Sequence, residues 1–492
     1  MEGLLDGEPV TGTAWLAHED PALTIDLDNG WDVTTDHAFS PEHDLVPTTT
    51  SVTGSRPWTS LSTLNTYSTR RRIAYPELDL VLEGDFPRRE ARTMIGKGPH
   101  LHGWARVRGT TAGRPVTGRA FPDVVPERRV GRFGEFLGRL RDITHAEVRA
   151  LYPDAPSAAS TSDLAGVDAT GLPHAVVHDA LVRPVRHVVD AGGHGWRTFA
   201  TCAAIEMVGV SSDPFTPLLG VVELVHSGNL VVDDVEDGSP LRRGVPAAHV
   251  VHGVATAVNA GTAACFALDR VVPRILPDDD RLRLRVYQTF LRSVRAAHVG
   301  QAVDIAGHRA AMDLAVATGD GTALVDGVRG ALRFKTGMPA RAFVAGADDE
   351  RVTAVGDCFE AVGPAYQITD DLMDLDGVTG PAASGEVRAT KHVGEDPRTG
   401  EVTMPLARAV GLLPPDRMAA VRDGRADLGT VREVAAALVE CGAVRACHAE
   451  ARSPVDTARA ALEPLLPNIF TKVVVRALGH YAARRTPEPL GV

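Results

Sequence analysis

Two stretches of this chain each place three aspartates at positions i, i+1 and i+4, and nothing else in the sequence limits its fold as strongly: Asp233, Asp234 and Asp237, then Asp370, Asp371 and Asp374. On a helix the first and last of each trio share a face. Bare carboxylates one turn apart repel, so a helix tolerates them poorly unless a cation sits among them. Two such turns facing each other across a bundle would hold hard metal ions through oxygen ligands. Magnesium suits so sparse a donor set, because it keeps several waters and takes phosphate oxygens besides a few carboxylates. Arg242 and Arg243, just behind the first trio, add the opposite charge and make a metal with a phosphorylated ligand a better match than a metal alone. For the first trio by itself, a solvated acidic turn with local ion pairs is the competing reading. The second trio argues against it.

The rest of the chain divides by pattern. At 492 residues it exceeds one small core, and two or three domains are expected. Residues 1–128 are β-rich, with short alternating runs such as Leu78–Glu83 and Ala105–Gly109 set between Gly, Pro, Asp and Asn, which points to a barrel or sandwich. His102–Phe121 has the pattern of a hairpin turning at Thr111–Gly113. Its tryptophan-bearing strand, Gly-rich turn and Val-x-Gly-Arg strand resemble a hairpin of the lipocalin-like proteins related to carotenoid 1,2-hydratase, with room for one such domain where that family usually has two. Residues 129–164 form a connecting helix and a linker, the linker being the Pro-, Ser- and Ala-rich stretch 153–162. From residue 165 to 492 Ala, Val, Leu and Arg dominate with helical periodicity, and a large all-α bundle is expected.

A net charge of -12 leaves no basic stripe for a phosphate backbone and excludes general nucleic-acid binding. No apolar run nears the roughly 18 residues that span a bilayer, and the amino terminus lacks the basic start and apolar core of a signal peptide, so a cytoplasmic protein is expected. The cysteines, Cys202, Cys265, Cys358, Cys441 and Cys447, are odd in number, scattered and without a CxxC pair, and read as reduced thiols rather than a disulfide or zinc framework. The basic residues are nearly all arginine. Lysine stands only at 97, 335, 391 and 472, so a lysine inside a motif marks a use for a compact ammonium.

Over residues 165–485 the sequence resembles the trans-isoprenyl diphosphate synthases, the polyprenyl synthetase family. Asp233–Asp237 with Leu241–Gly244 resembles that family's first Asp-rich motif and its arginine pair, and Gln367–Asp374 the second. Gly300–Asp304, Phe334–Gly337 and Lys391–Asp396 follow in the family's order. The resemblance implies an isoprenoid synthase bundle, a homodimer, and three Mg2+ ions bound by Asp233, Asp234, Asp237, Asp370, Asp371 and Asp374 together with a substrate diphosphate. It further implies that Arg242, Lys335 and Lys391 neutralise the departing diphosphate of an allylic prenyl substrate, with Thr336 and Gln367 beside it in those motifs. His194, Arg197, His226 and Arg243 would bind isopentenyl diphosphate. The activity implied is elongation to geranylgeranyl diphosphate or longer, since Gly228 and Asn229 stand where bulky aromatics shorten the product in the family.

Two positions depart from the family pattern. His194 stands where a lysine normally contacts isopentenyl diphosphate, and Glu401 lies where Gly-Lys is usual. Both weaken the basic side. They leave room for a class I terpene synthase that ionises and cyclises a prenyl diphosphate without a co-substrate. A non-catalytic regulatory or lipid-binding subunit is the third reading, and two intact aspartate trios argue against it.

Overall fold

A computed structural model of the chain describes residues 2–5, 8–11, 25–27, 31–34, 37–40, 43–47, 51–61, 63–75, 80–86, 88, 90–91, 100–111, 113–120, 123–124, 133–193, 195–337, 340–376, 378–381, 387–391, 401–414, 416–418, 428–466, 475, 478–479 and 482–483. The chain forms two compact units, residues 1–136 and 137–492.

The first unit is antiparallel β. Seven strands lie in the order Glu8–Thr11, Glu2–Leu5, Arg114–Ala120, Ala105–Thr111, Leu80–Asp85, Thr66–Tyr75 and Ser51–Thr59. The hairpin read from the sequence is present, with Thr111 opposite Arg114 across a two-residue loop and Gly113 at φ +73°, the conformation such loops demand. A stacked Trp58–Tyr67 pair, with Leu101 and Phe86, forms a local core. Among the described residues the two outer strands each have one neighbour, so this sheet is open and, of the expected barrel or sandwich, a closed barrel is not formed. Alternation in a sequence sets strand faces, whereas closure depends on pairing the first strand with the last.

The second unit is helical: α1 (Phe133–Leu151), α2 (Ala158–Ala165), α3 (His174–Val177), α4 (Arg183–Asp190), α5 (Trp196–Met207), α6 (Pro217–Glu236), α7 (Ala248–His252), α8 (Val254–Ala264), α9 (Val272–Ile275), α10 (Asp280–Ala306), α11 (Arg309–Thr318), α12 (Thr322–Lys335), α13 (Ala340–Phe343) and α14 (Asp349–Asp376), followed by helices Met404–Ala409, Leu428–Glu440 and Ala443–Leu462. Two short hairpins, Leu241–Arg242 with Val245–Pro246 and Val378–Pro381 with Val387–Lys391, interrupt the all-α pattern. The stretch expected as linker folds in part into α2, because Ser157 and Ser160 make a reciprocal capping box. Pro217 opens α6 with its φ already set, and Asp279 caps α10 by accepting from the Leu282 amide at 3.1 Å. Val185, Val189, Ile205, Val221, Leu224, Ala260 and Phe290 belong to the buried core that joins α4, α5, α6, α8 and α10.

Glycines set how closely the site helices approach. A Cβ on Gly228 of α6 would lie 2.6 Å from the Gly261 carbonyl oxygen and 2.7 Å from the Ala264 Cβ of α8. A Cβ on Gly300 of α10 would collide with the Lys335 amide nitrogen, and one on Gly363 of α14 would lie 2.6 Å from the Thr336 carbonyl oxygen. The carboxyl end of α12, which carries Lys335, is therefore clamped between α10 and α14, and the site inherits that position. Gly228 faces α8 rather than a cavity. Gly228→Ala is expected to destabilise the protein by about 1–3 kcal/mol through forced separation of α6 and α8; a thermal melt that does not move would refute this account of the crossing.

Candidate active site

The first trio ends α6. Asp233 and Asp234 occupy its last turn and Asp237 caps it, so three carboxylates sit at the negative pole of the helix dipole, where a cation is favoured and an anion is not. Asp234 is fully buried. Its Oδ1 accepts from Arg242 Nε at 2.7 Å and from Arg242 Nη2, while its Oδ2 is buried without a hydrogen-bond partner. Burial pushes the Asp234 carboxyl above the usual range, against the pull of Arg242. Asp237 is pushed up to about 6, by burial first and then by Asp233. Asp233 is better provided: its Oδ1 accepts from Gln301 Nε2 at 2.9 Å and lies 3.3 Å from Lys335 Nζ.

Lys335 is the central cation. Its ammonium donates to Asp304 Oδ2 and pairs with Asp233. Burial disfavours the charged form, yet Asp233, Asp304 and Asp237 outweigh it and the net shift is upward. Thr336 is buried next to it, its hydroxyl turned to the Leu332 carbonyl at 2.6 Å. The second trio lies on α14. Gln367 Nε2 donates to Asp371 Oδ1 at 2.9 Å; Asp371 is nearly and Asp374 fully buried, with Asp370 more open. The two trios belong to one electrostatic neighbourhood, because Glu401, at the start of the segment leading into helix Met404–Ala409, feels Asp304, Asp371, Asp237 and Lys335 together. Among the described residues no three carboxylates converge to hold an ion by themselves. Ligation here would need oxygens from a bound diphosphate, in keeping with magnesium's habit of sharing ligands with its substrate.

The arginines form a second group. Arg243 and Gly244 are the two central residues of the 241–246 hairpin, at φ +54° and +77°, a type I′ turn. The Arg243 side chain donates to the Val188 carbonyl at 3.0 Å and, through both terminal nitrogens, to Glu223 Oε1 at 3.2 Å. Ser227 donates to the same Glu223 oxygen at 2.9 Å. Gly193 admits this guanidinium, which a Cβ would meet at 3.0 Å. Arg197 lies 3.4 Å from His226 Nε2, with its guanidinium 4.4 Å from the centre of the Trp196 ring, which stacks on Tyr366. Desolvation lowers the Arg197 pKa to about 10, so it stays charged at neutral pH. A cavity of about 10 Å³ beside Gly193 is lined by Arg141, Thr144, His145, Thr198 and Glu223.

Thus Asp233, Asp234, Asp237, Arg242 and Lys335 come together, Gln367 joins Asp371, and Arg197 joins His226. His194 lies outside the described residues, and Lys391 ends a short strand with its side chain outside them. Glu223 escaped the sequence reading. Its signal was a charge inside the apolar run Val221, Val222, Leu224, Val225, which in a buried helix requires a partner.

A bundle with two aspartate-bearing helices packed about a lysine has the helical isoprenyl synthase fold. The chain belongs to the polyprenyl synthetase family, whose sequence profile matches residues 178–438. It is 24% identical over 270 residues to a geranylgeranyl pyrophosphate synthase of Macrophomina phaseolina, covering 54% of this chain and 77% of that protein. It is 26% identical over 341 residues to the octaprenyl diphosphate synthase of Escherichia coli, covering 66% and 97%. In fold it is similar to a geranylgeranyl pyrophosphate synthase from Corynebacterium glutamicum solved with isoprenyl diphosphate and magnesium, with a TM-score of 0.55 at 21% identity over 72% of this chain and all of that one.

Proposed function

We propose that this protein is a magnesium-dependent prenyltransferase that elongates an allylic prenyl diphosphate with isopentenyl diphosphate. The observation that carries this is Lys335, paired with Asp233 and Asp304 between two helices that each present aspartates. The donor set fits the metal: hard oxygens only, a helix carboxyl end, and the buried, unpartnered Oδ2 of Asp234. Asp233, Asp234, Asp237, Asp370, Asp371 and Asp374 would hold three ions, which when bound neutralise charge on the leaving diphosphate. The protein's own cations do the rest of that work. Arg242, Lys335 and Lys391 stabilise the pyrophosphate as the allylic C–O bond breaks, with Thr336 and Gln367 beside them. The double bond of isopentenyl diphosphate then attacks the allylic carbocation, a C–C bond forms, and loss of a proton yields the longer diphosphate. Such a cation would need apolar walls to keep water from capturing it.

His194, Arg197, His226 and Arg243 would bind isopentenyl diphosphate. Glu223 holds Arg243 in an ion pair, so this half of the site must exchange that partner for the substrate. That engagement keeps the cyclising terpene synthase as a second reading. Asn229, whose Oδ1 accepts a hydrogen bond from Cys265 Sγ at 3.3 Å, stands where bulky aromatics shorten the product in the family, and its smaller, polar side chain favours geranylgeranyl diphosphate or longer. The experiment is an incubation of protein and magnesium with geranyl or farnesyl diphosphate, with and without isopentenyl diphosphate, read by mass. A longer diphosphate formed only with isopentenyl diphosphate is expected; a hydrocarbon or alcohol formed without it would establish cyclisation instead.

A homodimer is proposed on α8 and α10. Of the 27 residues of α10, Val286, Phe290 and Gly300 are buried, while Leu284, Leu291, Val299 and Val303, with Val254 and Val258 of α8, are exposed. So much apolar surface on these two helices calls for a cover. Leu284→Glu with Leu291→Glu is expected to convert a dimer to monomer in light scattering, and a wild-type protein already monomeric would refute the assignment. For the amino-terminal unit, the lipocalin-like reading stands as a proposal; deleting residues 1–136 with unchanged products would assign it an accessory role.

A further inference from the structure

The seven-stranded sheet of the first unit has one face that is strongly charged. Along Ala105–Thr111, Ala105 and Val107 are buried while Arg106 and Arg108 are exposed, the period of two that sends alternate side chains to opposite faces. The register carries the charged face across four strands. Arg106 lies opposite both Asp85 and Arg119, with Asp85 opposite Arg70; two residues along, Arg108 lies opposite Glu83, and Glu83 opposite Arg72. Strand and residue spacings place these five arginines within about 14 Å by about 7 Å. Arg56, held at φ +55°, reaches Asp85 at 3.4 Å, as Arg70 does at 3.0 Å. Six arginines thus meet three carboxylates, Asp85, Glu83 and, opposite Arg119 in the register, Glu2. Among the described residues Arg72, Arg106, Arg108 and Arg119 form no ion pair. Like charges directly opposite, as Arg106 and Arg119 are, work against the strand pair, so folding alone does not account for them. Trp104, two residues before Arg106, adds an indole that is 58% exposed, far more than so large a ring ordinarily shows.

We propose that this face docks the amino-terminal unit on an anionic phospholipid surface, the arginines against lipid phosphates and Trp104 at the level of the headgroups. The match is one of charge and of shape. Arginines this close together lie within a Debye length of one another and act as a single positive patch, and a guanidinium pairs with phosphate oxygens through parallel hydrogen bonds. An open sheet face meets a plane of phosphates over its whole width, and an indole is the ring that settles where apolar and wet regions meet. A polynucleotide is the poorer partner, because the chain as a whole carries a net charge of -12 and a phosphate backbone running past the patch would meet that charge. No described helix is long and apolar enough to cross a membrane, so the attachment is peripheral, salt-sensitive and reversible. It does not rest on the prenyl diphosphate reading, since it uses no residue of the second unit.

Vesicle flotation with the full-length protein tests this, using vesicles of phosphatidylcholine alone and of equimolar phosphatidylcholine and phosphatidylglycerol. Wild type is expected to float with the anionic vesicles at low ionic strength, to stay behind with the neutral ones, and to be released in about 0.5 M NaCl. An arginine near an anionic leaflet is worth roughly fivefold in affinity. The pair Arg106→Glu with Arg108→Glu should therefore weaken binding about tenfold or more, and Trp104→Ala about threefold. The pair Arg106→Gln with Arg108→Gln removes charge at two exposed positions and relieves the repulsion with Arg119, so it decides the matter even where the glutamate pair folds poorly; a thermal melt checks each variant. Wild type that does not float with anionic vesicles, or that floats equally with neutral ones, would overturn the proposal. So would glutamine and glutamate pairs that bind within about twofold of wild type. A single-stranded oligonucleotide that binds wild type at least as tightly as the anionic vesicles do would replace the membrane by a nucleic-acid partner.

Discussion

Asp233→Asn is expected to lower kcat by about 10³-fold or more while the protein stays folded. Asp233 is the carboxylate on which the centre converges, accepting from Gln301 at 2.9 Å and lying 3.3 Å from Lys335 Nζ. An amide keeps its shape and can still accept a hydrogen bond, but it loses the charge that would ligate a cation. If that ligation contributes about 4 kcal/mol to stabilising charge on the departing diphosphate, the loss amounts to about three powers of ten in rate. Stability should change little, because Lys335 retains Asp304 and the change relieves repulsion with Asp237, whose carboxyl is already pushed up to about 6 by burial and then by Asp233. The measurement is single-turnover elongation across a magnesium series, beside a thermal melt. Turnover near the wild-type rate with an unchanged magnesium dependence would remove Asp233 from the metal site.

The helices that carry the candidate site were legible because the spacing of their aspartates has a definite consequence on a helix. Two trios at i, i+1, i+4 place carboxylates on one helical face, and α6 with its cap Asp237, and α14, carry them. The rarity of lysine singled out Lys335. What the sequence hid was partnership across the bundle. Asp234 and Asp233 look equivalent on paper, yet one is fully buried on Arg242 and the other is shared by Gln301 and Lys335. Glu223 was invisible because its partners, Arg243 and Ser227, stand 20 and 4 residues away. Gly228 illustrates the opposite error. A small residue below an aspartate trio suggests an open pocket, but here its smallness is consumed by the approach of α8 at Gly261. Absence of a side chain reports room for something, and only the packing tells whether that is a ligand or another backbone. The amino-terminal unit was legible as strands and not as a closed form, since sheet closure depends on pairings remote in sequence.

Lys335→Met is expected to reduce kcat by about 10²-fold and to destabilise the metal-free protein by an amount that depends on pH. The first effect follows from position: the ammonium sits among carboxylates of α6 and α10, where an incoming diphosphate would find it already desolvated. The second follows from charge. Without Lys335, Asp233, Asp237 and Asp304 face one another with no ammonium between them, a loss of about 1–3 kcal/mol at pH 8 once partial solvent access is allowed for. The sign of the pH dependence is fixed by Asp237. Its folded pKa, pushed up to about 6, exceeds the unfolded value, so its contribution destabilises the fold above that pH and fades as pH falls through the window between the two values. Lys335, whose own pKa is raised, stays protonated from pH 5 to 8 and adds no slope there. The stability gap between wild type and Lys335→Met should therefore be widest at pH 8 and narrow toward pH 5. Magnesium with pyrophosphate should narrow it at pH 8 as well, because cations then replace the missing ammonium. A gap constant across that range and indifferent to magnesium would mean that Lys335 acts by packing between Gly300 and Gly363, and that the carboxylates around it do not form one electrostatic unit.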